Sequence, residues 1–541
     1  MHEKPFANRR TSVPRSVLFL LVLPAVVGGL VAAPVDGDDA DSGSSPTPNE
    51  VAANGPMPGD LRLIEKEWAC VQELDTPGYF KSLNAAEVAD AQRTQFYPCA
   101  SFLGSWDGPN EVFAWRGQGT YQGVLFMNNR RPGELYLTGG NNPPAKGPVP
   151  PGPFVAKVDA TTGREIWRTY LENGNVSGAW VGAANLNILP DGDIPIAFGN
   201  HLVKLDGDTG RIVKYAALPV GEAPPEGSNH KHLTVAPDGT LIIKNQTRAT
   251  PCDIQGTLAA FQCPGGIESS PGSNIAAVDP DTFEIYDDID VPENAVSPFS
   301  ITTFEGRIAA YITTIARAYR YFWDPETKTL SRDPDWTFSS MLEPGQTAGD
   351  APTFIGDWVI IQVNGLPSEV ASSVVAVNQH DPTKFSRVYP FGRDLPTGQS
   401  WAPPKSAVDP ENSMIYSADQ NMGKIGGIKL DQETGEMTTV WTLDAATTAL
   451  QILVGPKDRR VLATARAEPG TTLEQLNQTS RPDYRQQALW LDAATGRILA
   501  ESSWFEPMNF NTMLAPGYGG RFYYMWDQGF IVLQVMPAEP S

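Results

Sequence analysis

The chain has 541 residues, enough for several ordinary domains or one large repeat architecture, and its 62 Asp plus Glu exceed its 40 Lys plus Arg, for a formal net charge of -22. No Lys/Arg-dense stretch is left to neutralise a phosphate backbone, so nucleic acid is not an expected partner. A hydrophobic fraction of 41% excludes a disordered chain, and 50 Gly with 48 Pro suit many short strands joined by turns.

The first element is a targeting segment. Lys4, Arg9, Arg10 and Arg15 precede an uncharged apolar run from Val17 to Val35, the order of an export signal. The run is near bilayer-spanning length, and Pro34 follows Val31-Ala32-Ala33 in a poor cleavage context, so residues 1–35 read as a signal peptide or, preferably, a retained membrane anchor. The body is then extracytoplasmic: periplasmic, cell-surface or secreted. Residues 36–58, rich in Asp, Ser, Pro, Gly and Asn, read as a flexible tether. Residues 59–110 read as a small N-terminal cap with some helix, because Leu63, Trp68, Val71 and Leu74 recur at helical spacing.

Four cysteines in an exported chain invite pairing. Three connectivities are formally open, and proximity favours Cys70 with Cys99 and Cys252 with Cys263, the second pair bracketing the irregular insertion Pro251 to Gly266. No CxxC or Cys/His cluster points to a metal.

From residue 111 to 538 a theme repeats: strand, turn, strand, then a hydrophobic-Asp-x-x-Thr-Gly turn. That late turn ends at Gly163, Gly210, Gly435 and Gly496, with looser copies around Asp279, Asp324 and Asn378. Early turns number eight: Arg131-Pro132-Gly133, Pro190-Asp191-Gly192, Pro237-Asp238-Gly239, Glu305-Gly306, Gly356-Asp357, Asp409 to Asn412, Gly455 to Asp458 and Pro516 to Gly519. The count predicts an all-β, eight-bladed β-propeller, with seven blades as the alternative. The last unit lacks an outer strand, which Val112 to Trp115 are expected to supply, tying the ends together.

These copies resemble the PQQ-like, or quinoprotein alcohol dehydrogenase-like, propeller repeat, whose turn is followed four residues on by a docking Trp. Gly163 has it at Trp167; Lys214, Thr439 and Ala500 stand at the equivalent places after Gly210, Gly435 and Gly496. The resemblance implies the fold of a degenerate member. Quinone-binding members carry a vicinal cysteine pair, which this chain lacks, so no cofactor is expected, PQQ included.

Residues just before the early turns should converge on the central axis. They give a candidate ligand set of Tyr121, Trp180, Asn185, Asn229, Trp401, Lys405, Gln451 and Asn511. His230 and His232 alternate on one inner strand, so period two predicts that they face the channel together. Asp350 is the acid in an inner-strand context and, with the two histidines, a candidate catalytic group. The competing structural readings are a hydrogen-bonded histidine pair between blades and an aspartate capping a turn. No metal is expected from two histidines alone. The functions that follow are, in order, an exported or membrane-anchored binding or scaffold protein for an unidentified polar ligand or protein partner, an extracytoplasmic hydrolase or lyase, and a quinoprotein dehydrogenase.

Overall fold

The computed structural model describes residues 51–52, 59–117, 121, 124–140, 152–171, 185–254, 259–364, 370–395, 405–476, 483–508, 512–526 and 528–538. The segment read as a signal or anchor, nearly all of the tether, and Trp180, Trp401 and Asn511 lie outside them. Among the described residues no helix is long and apolar enough to cross a membrane.

Eight antiparallel sheets follow one another along the chain, one for each early turn. Blade 1 shows the pattern, with strands Phe126–Asn129, Glu134–Gly139, Phe154–Asp159 and Glu165–Tyr170 in order from axis to rim. Blades 2 to 8 occupy residues 185–217, 228–291, 300–338, 348–388, 407–444, 452–505 and 515–537. Middle strands such as Ser273–Val278 are buried on both faces, whereas the rim strand Met437–Asp444 alternates between half-buried and exposed residues. That is the burial expected when each blade is covered on both faces and only its rim meets water.

The late turns close by side-chain chemistry. Asp159 Oδ1 accepts from the amides of Thr161 and Thr162 at 2.9 and 2.8 Å, and Gly163 supplies φ +68°. Asp206 and Asp431 repeat the arrangement before Gly210 and Gly435. The ring closes through its two ends, as the missing outer strand requires. Asn110–Arg116 pairs antiparallel with Gly529–Pro537, Val112 opposite Val535 and Trp115 opposite Val532. Val51–Ala52 adds a parallel strand on Ala114 and Trp115.

The docking tryptophans are more numerous than the spacing suggests. Trp167, Trp336, Trp358 and Trp441 each donate an indole N–H to a late-turn carbonyl of the following blade, on Asp208, Asn378, Gln432 and Ala493, at 2.9 to 3.0 Å. In blade 6 the ring stands at position 441 in place of 439, where it faces Gly427 across the hairpin. Trp336 stands near the far end of the blade 4 rim strand Thr329–Phe338, and Trp358 comes from a different strand altogether, Trp358–Asn364. The interblade staple is retained, supplied from places that counting from the turn does not reach.

Residues 59–110 do not stand apart from the ring. A helix, α1 (Leu61–Glu73), starts at Asp60, whose carboxylate accepts from the Leu63 amide. Its buried Glu67 accepts from the Gly519 amide in the blade 8 turn. Cys70 is bonded to Cys99 and Cys252 to Cys263, with Cα separations of 5.7 and 5.6 Å. Two such bonds belong to a chain that matures in an oxidising compartment. Between Tyr79 and Ala100 the chain threads the ring itself, and this places the candidate site.

Candidate functional site

The inner strand of a blade has one edge without a partner, and in a wide ring eight such edges face a common axis. Residues 79–100 bond to seven of the eight blades. Phe80 and Ala85 bond Ile188 of blade 2, and the Tyr79 hydroxyl accepts from Val235 of blade 3. The Asn129 amide donates to Asn84, and the Asn84 side chain to Met127, both in blade 1. Farther along, Ile301 of blade 4 donates to Ala91, Val408 of blade 6 to Thr94, and Leu453 of blade 7 to Gln95. Phe96–Tyr97 then runs parallel to Leu453–Val454 as an extra strand inside blade 7. Gly455 donates to Ala100, and the Tyr518 hydroxyl of blade 8 accepts from Leu83. All these contacts fall at the turn-proximal ends of the inner strands, so the chain closes its own axis there. The channel expected from the repeat pattern is crossed here by the chain itself.

The crossing segment brings charge with it. Arg93 and Glu87, 2% and 6% exposed, form an ion pair, and Arg93 also donates to the Phe299 carbonyl at 2.9 Å. Asp90 accepts from the amide and hydroxyl of Thr94. Against these stand blade residues. Lys405, 4% exposed, donates from Nζ to the Arg93 carbonyl and faces Asp350, Asp90 and Glu87. Asp350 accepts from the Ala351 amide at 2.7 Å and faces Lys405 and Arg93. Burial, which disfavours charge, pushes the Asp350 carboxyl up and pulls Lys405 down to about 7. Lys231, also in this cluster, is pulled to about 7 by burial, with Glu87 and Asp350 opposing the shift.

The two histidines are not side by side. A bulge at Lys231 sets His230 opposite Asn245 and His232 opposite Lys244, consecutive residues of the neighbouring strand, so the imidazoles fall on opposite faces of the sheet. His230 Nδ1 faces the Gly199 carbonyl and the Asn200 Oδ1, both at 3.3 Å and both acceptors, so this nitrogen carries the proton. Burial holds His230 down at about 3 and His232 well below its ordinary value. His230 therefore joins blade 2 to blade 3, while His232 lies near Lys231, Lys244 and Arg93.

The remaining candidates divide. Gln451 accepts from the Gln95 side chain through its carbonyl at 2.6 Å and, with Lys405, frames the crossing segment. Asn229 Oδ1 accepts from the Gly199 amide, an interblade bond, and Asn185 is 3% exposed at the start of the blade 2 inner segment. Tyr121 is not axial: its amide donates to Gln528, and its ring packs between Phe154 and Phe530 under the Arg168 guanidinium. Sequence reasoning missed Glu87, Asp90, Arg93 and Gln95. Those residues follow no repeat, and nothing in the composition of the stretch sets them apart. Among the described residues, no group of three or more His, Cys, Asp or Glu is arranged to hold a metal ion.

No protein-family profile and no curated protein matches the chain. Solved structures do. A quinohemoprotein alcohol dehydrogenase of Pseudomonas putida HK5 is 10% identical over 86% of this chain and 84% of that one, at a TM-score of 0.52. The corresponding figures for a quinohemoprotein alcohol dehydrogenase of Comamonas testosteroni are 14%, 89%, 86% and 0.48, and for BamB of Moraxella catarrhalis 13%, 69%, 93% and 0.37. At such identities the likeness to the first is one of fold alone.

Proposed function

We propose that this chain is an extracytoplasmic propeller that binds a polar ligand in the half of its axis left by the crossing segment, and works as a binding or scaffold protein. One observation carries the reading: Glu87, Asp90, Arg93, Lys231, Asp350 and Lys405 gather where the crossing segment meets the axis, a charged lining that suits a polar occupant. A protein that only held its blades together would gain more from an apolar plug, since burying charge is costly.

The hydrolase or lyase reading rests on Asp350. A carboxyl held above its ordinary range by burial, beside an amine held below its own, is a poised acid/base pair. A quinone does not fit the described residues: all four cysteines are consumed in bonds between residues 29 and 11 apart, leaving no vicinal pair. The test is a thermal-shift and calorimetric survey of the purified full chain against small polar compounds, with Asp350→Asn and Lys405→Met beside it. Binding that both variants weaken at least tenfold, with no turnover, supports the binding reading. Turnover abolished by Asp350→Asn would replace it with the enzymatic one. An absorption band of a bound quinone in the purified protein would overturn both.

A further inference from the structure

Four basic groups meet at the axis: Arg93 from the crossing segment, Lys231 and Lys244 from blade 3, and Lys405 before the first strand of blade 6. Three carboxylates oppose them, and these are engaged: Glu87 by Arg93, Asp90 by Thr94, and Asp350 by the Ala351 amide. In a chain whose net charge is -22, basic groups thus outnumber acidic ones at this buried place.

Lys231 is the least provided for. It projects from the bulge at 4% exposure, and among the described residues no carboxylate comes within ion-pair distance of it. Beside it, His232 Nδ1 is buried and has no hydrogen-bond partner among the described residues. Buried polar atoms of this kind are nearly always matched in native proteins, by protein, water or ligand. An amine with no counter-ion at hand and an imidazole nitrogen without a partner, on consecutive residues at the axis, are features of a ligand seat.

We infer that this half of the axis seats a small organic carboxylate, its negative end against Lys231 with His232 alongside. The inference rests on the binding reading above and names the class of ligand. A carboxylate there would restore the charge that burial denies the amine. At pH 8 the free amine, held at about 7, is mostly neutral, so seating the anion draws a proton onto it. Arg93, Lys244 and Lys405 add to the attraction, while Glu87 and Asp350 face the same amine and limit it.

The experiment is isothermal titration of the full chain at pH 8 with malonate, glucose and choline, each in Tris and in Hepes, whose ionisation enthalpies differ. Malonate binding with uptake approaching one proton is expected, at least tenfold weaker in Lys231→Met and in His232→Gln, and unchanged in Lys66→Met at an exposed site. Two variants are used so that a folding failure in one leaves the other decisive. Malonate bound equally by the variants overturns the seat. Glucose or choline bound with malonate silent overturns the anion and leaves the binding reading standing. If none of the three probes binds, both are overturned.

Discussion

Replacing Arg93 by Met tests whether the crossing segment is held by its charges. The guanidinium is 2% exposed, pairs with Glu87 and bonds the Phe299 carbonyl. Removing one member of a buried pair leaves the other uncompensated and costs about 3 to 5 kcal/mol, and the lost carbonyl bond adds about 1. Glu87→Gln in the same background removes the stranded charge, so the double variant should recover about 2 to 3 kcal/mol of that loss. Urea unfolding at pH 7, followed by tryptophan fluorescence, reads all four corners of the cycle. If Arg93→Met alone costs under about 1 kcal/mol, or if the two changes simply add, the pair is incidental and the segment is held by its backbone bonds and disulfide instead.

Lys231 is held at about 7 in the folded chain against 10.5 otherwise, so between those values the unfolded chain binds the extra proton and stability rises with pH; Lys231→Met should be the more stable at pH 7, the gap closing toward pH 10.5, and a gap independent of pH refutes the shift. Cys70→Ser/Cys99→Ser opens a loop spanning 29 residues and should cost about 3 to 4 kcal/mol, with faster proteolysis between residues 74 and 110; intact resistance would show the segment needs no clip. Gly427→Ala places a Cβ 2.3 Å from the Trp441 indole nitrogen and should cost about 1 to 3 kcal/mol with altered tryptophan emission, whereas wild-type stability would contradict the docking geometry.

What could be read from the sequence was what local chemistry writes. The Asp and Gly of each late turn act within five residues of one another, so Asp159 with Gly163 and Asp431 with Gly435 announce themselves wherever they occur. The closing strand was legible by subtraction, because an array that ends one strand short must find it elsewhere. Bulges were not legible. One extra residue at Lys231 sends His230 and His232 apart, yet it alters neither composition nor apparent period. Nor was the crossing segment, whose bonds to Ile188, Ile301, Val408 and Leu453 span roughly 100 to 360 residues of chain and leave no periodic trace.

The crossing segment has a physical cause that bears on where function can lie. A ring of eight blades leaves an axis lined by strand edges with unpaired amides and carbonyls, which are costly when dry and sticky when wet. Water would satisfy them if the axis stayed open. This chain instead lays residues 79–100 across the turn-proximal ends, and Phe96–Tyr97 goes so far as to form a strand there. A segment chosen only to cover edges could be apolar in its side chains, because the edge bonds are made by backbone. Tyr97, Leu83 and Val88 are of that sort, at 1%, 5% and 2% exposure. Glu87, Asp90 and Arg93 are not, and the blades answer them with Lys231, Asp350 and Lys405 from three separate sheets. Since edge covering explains the backbone and not the choice of these six side chains, the charged lining calls for a second reason, and the ligand binding proposed above would supply one.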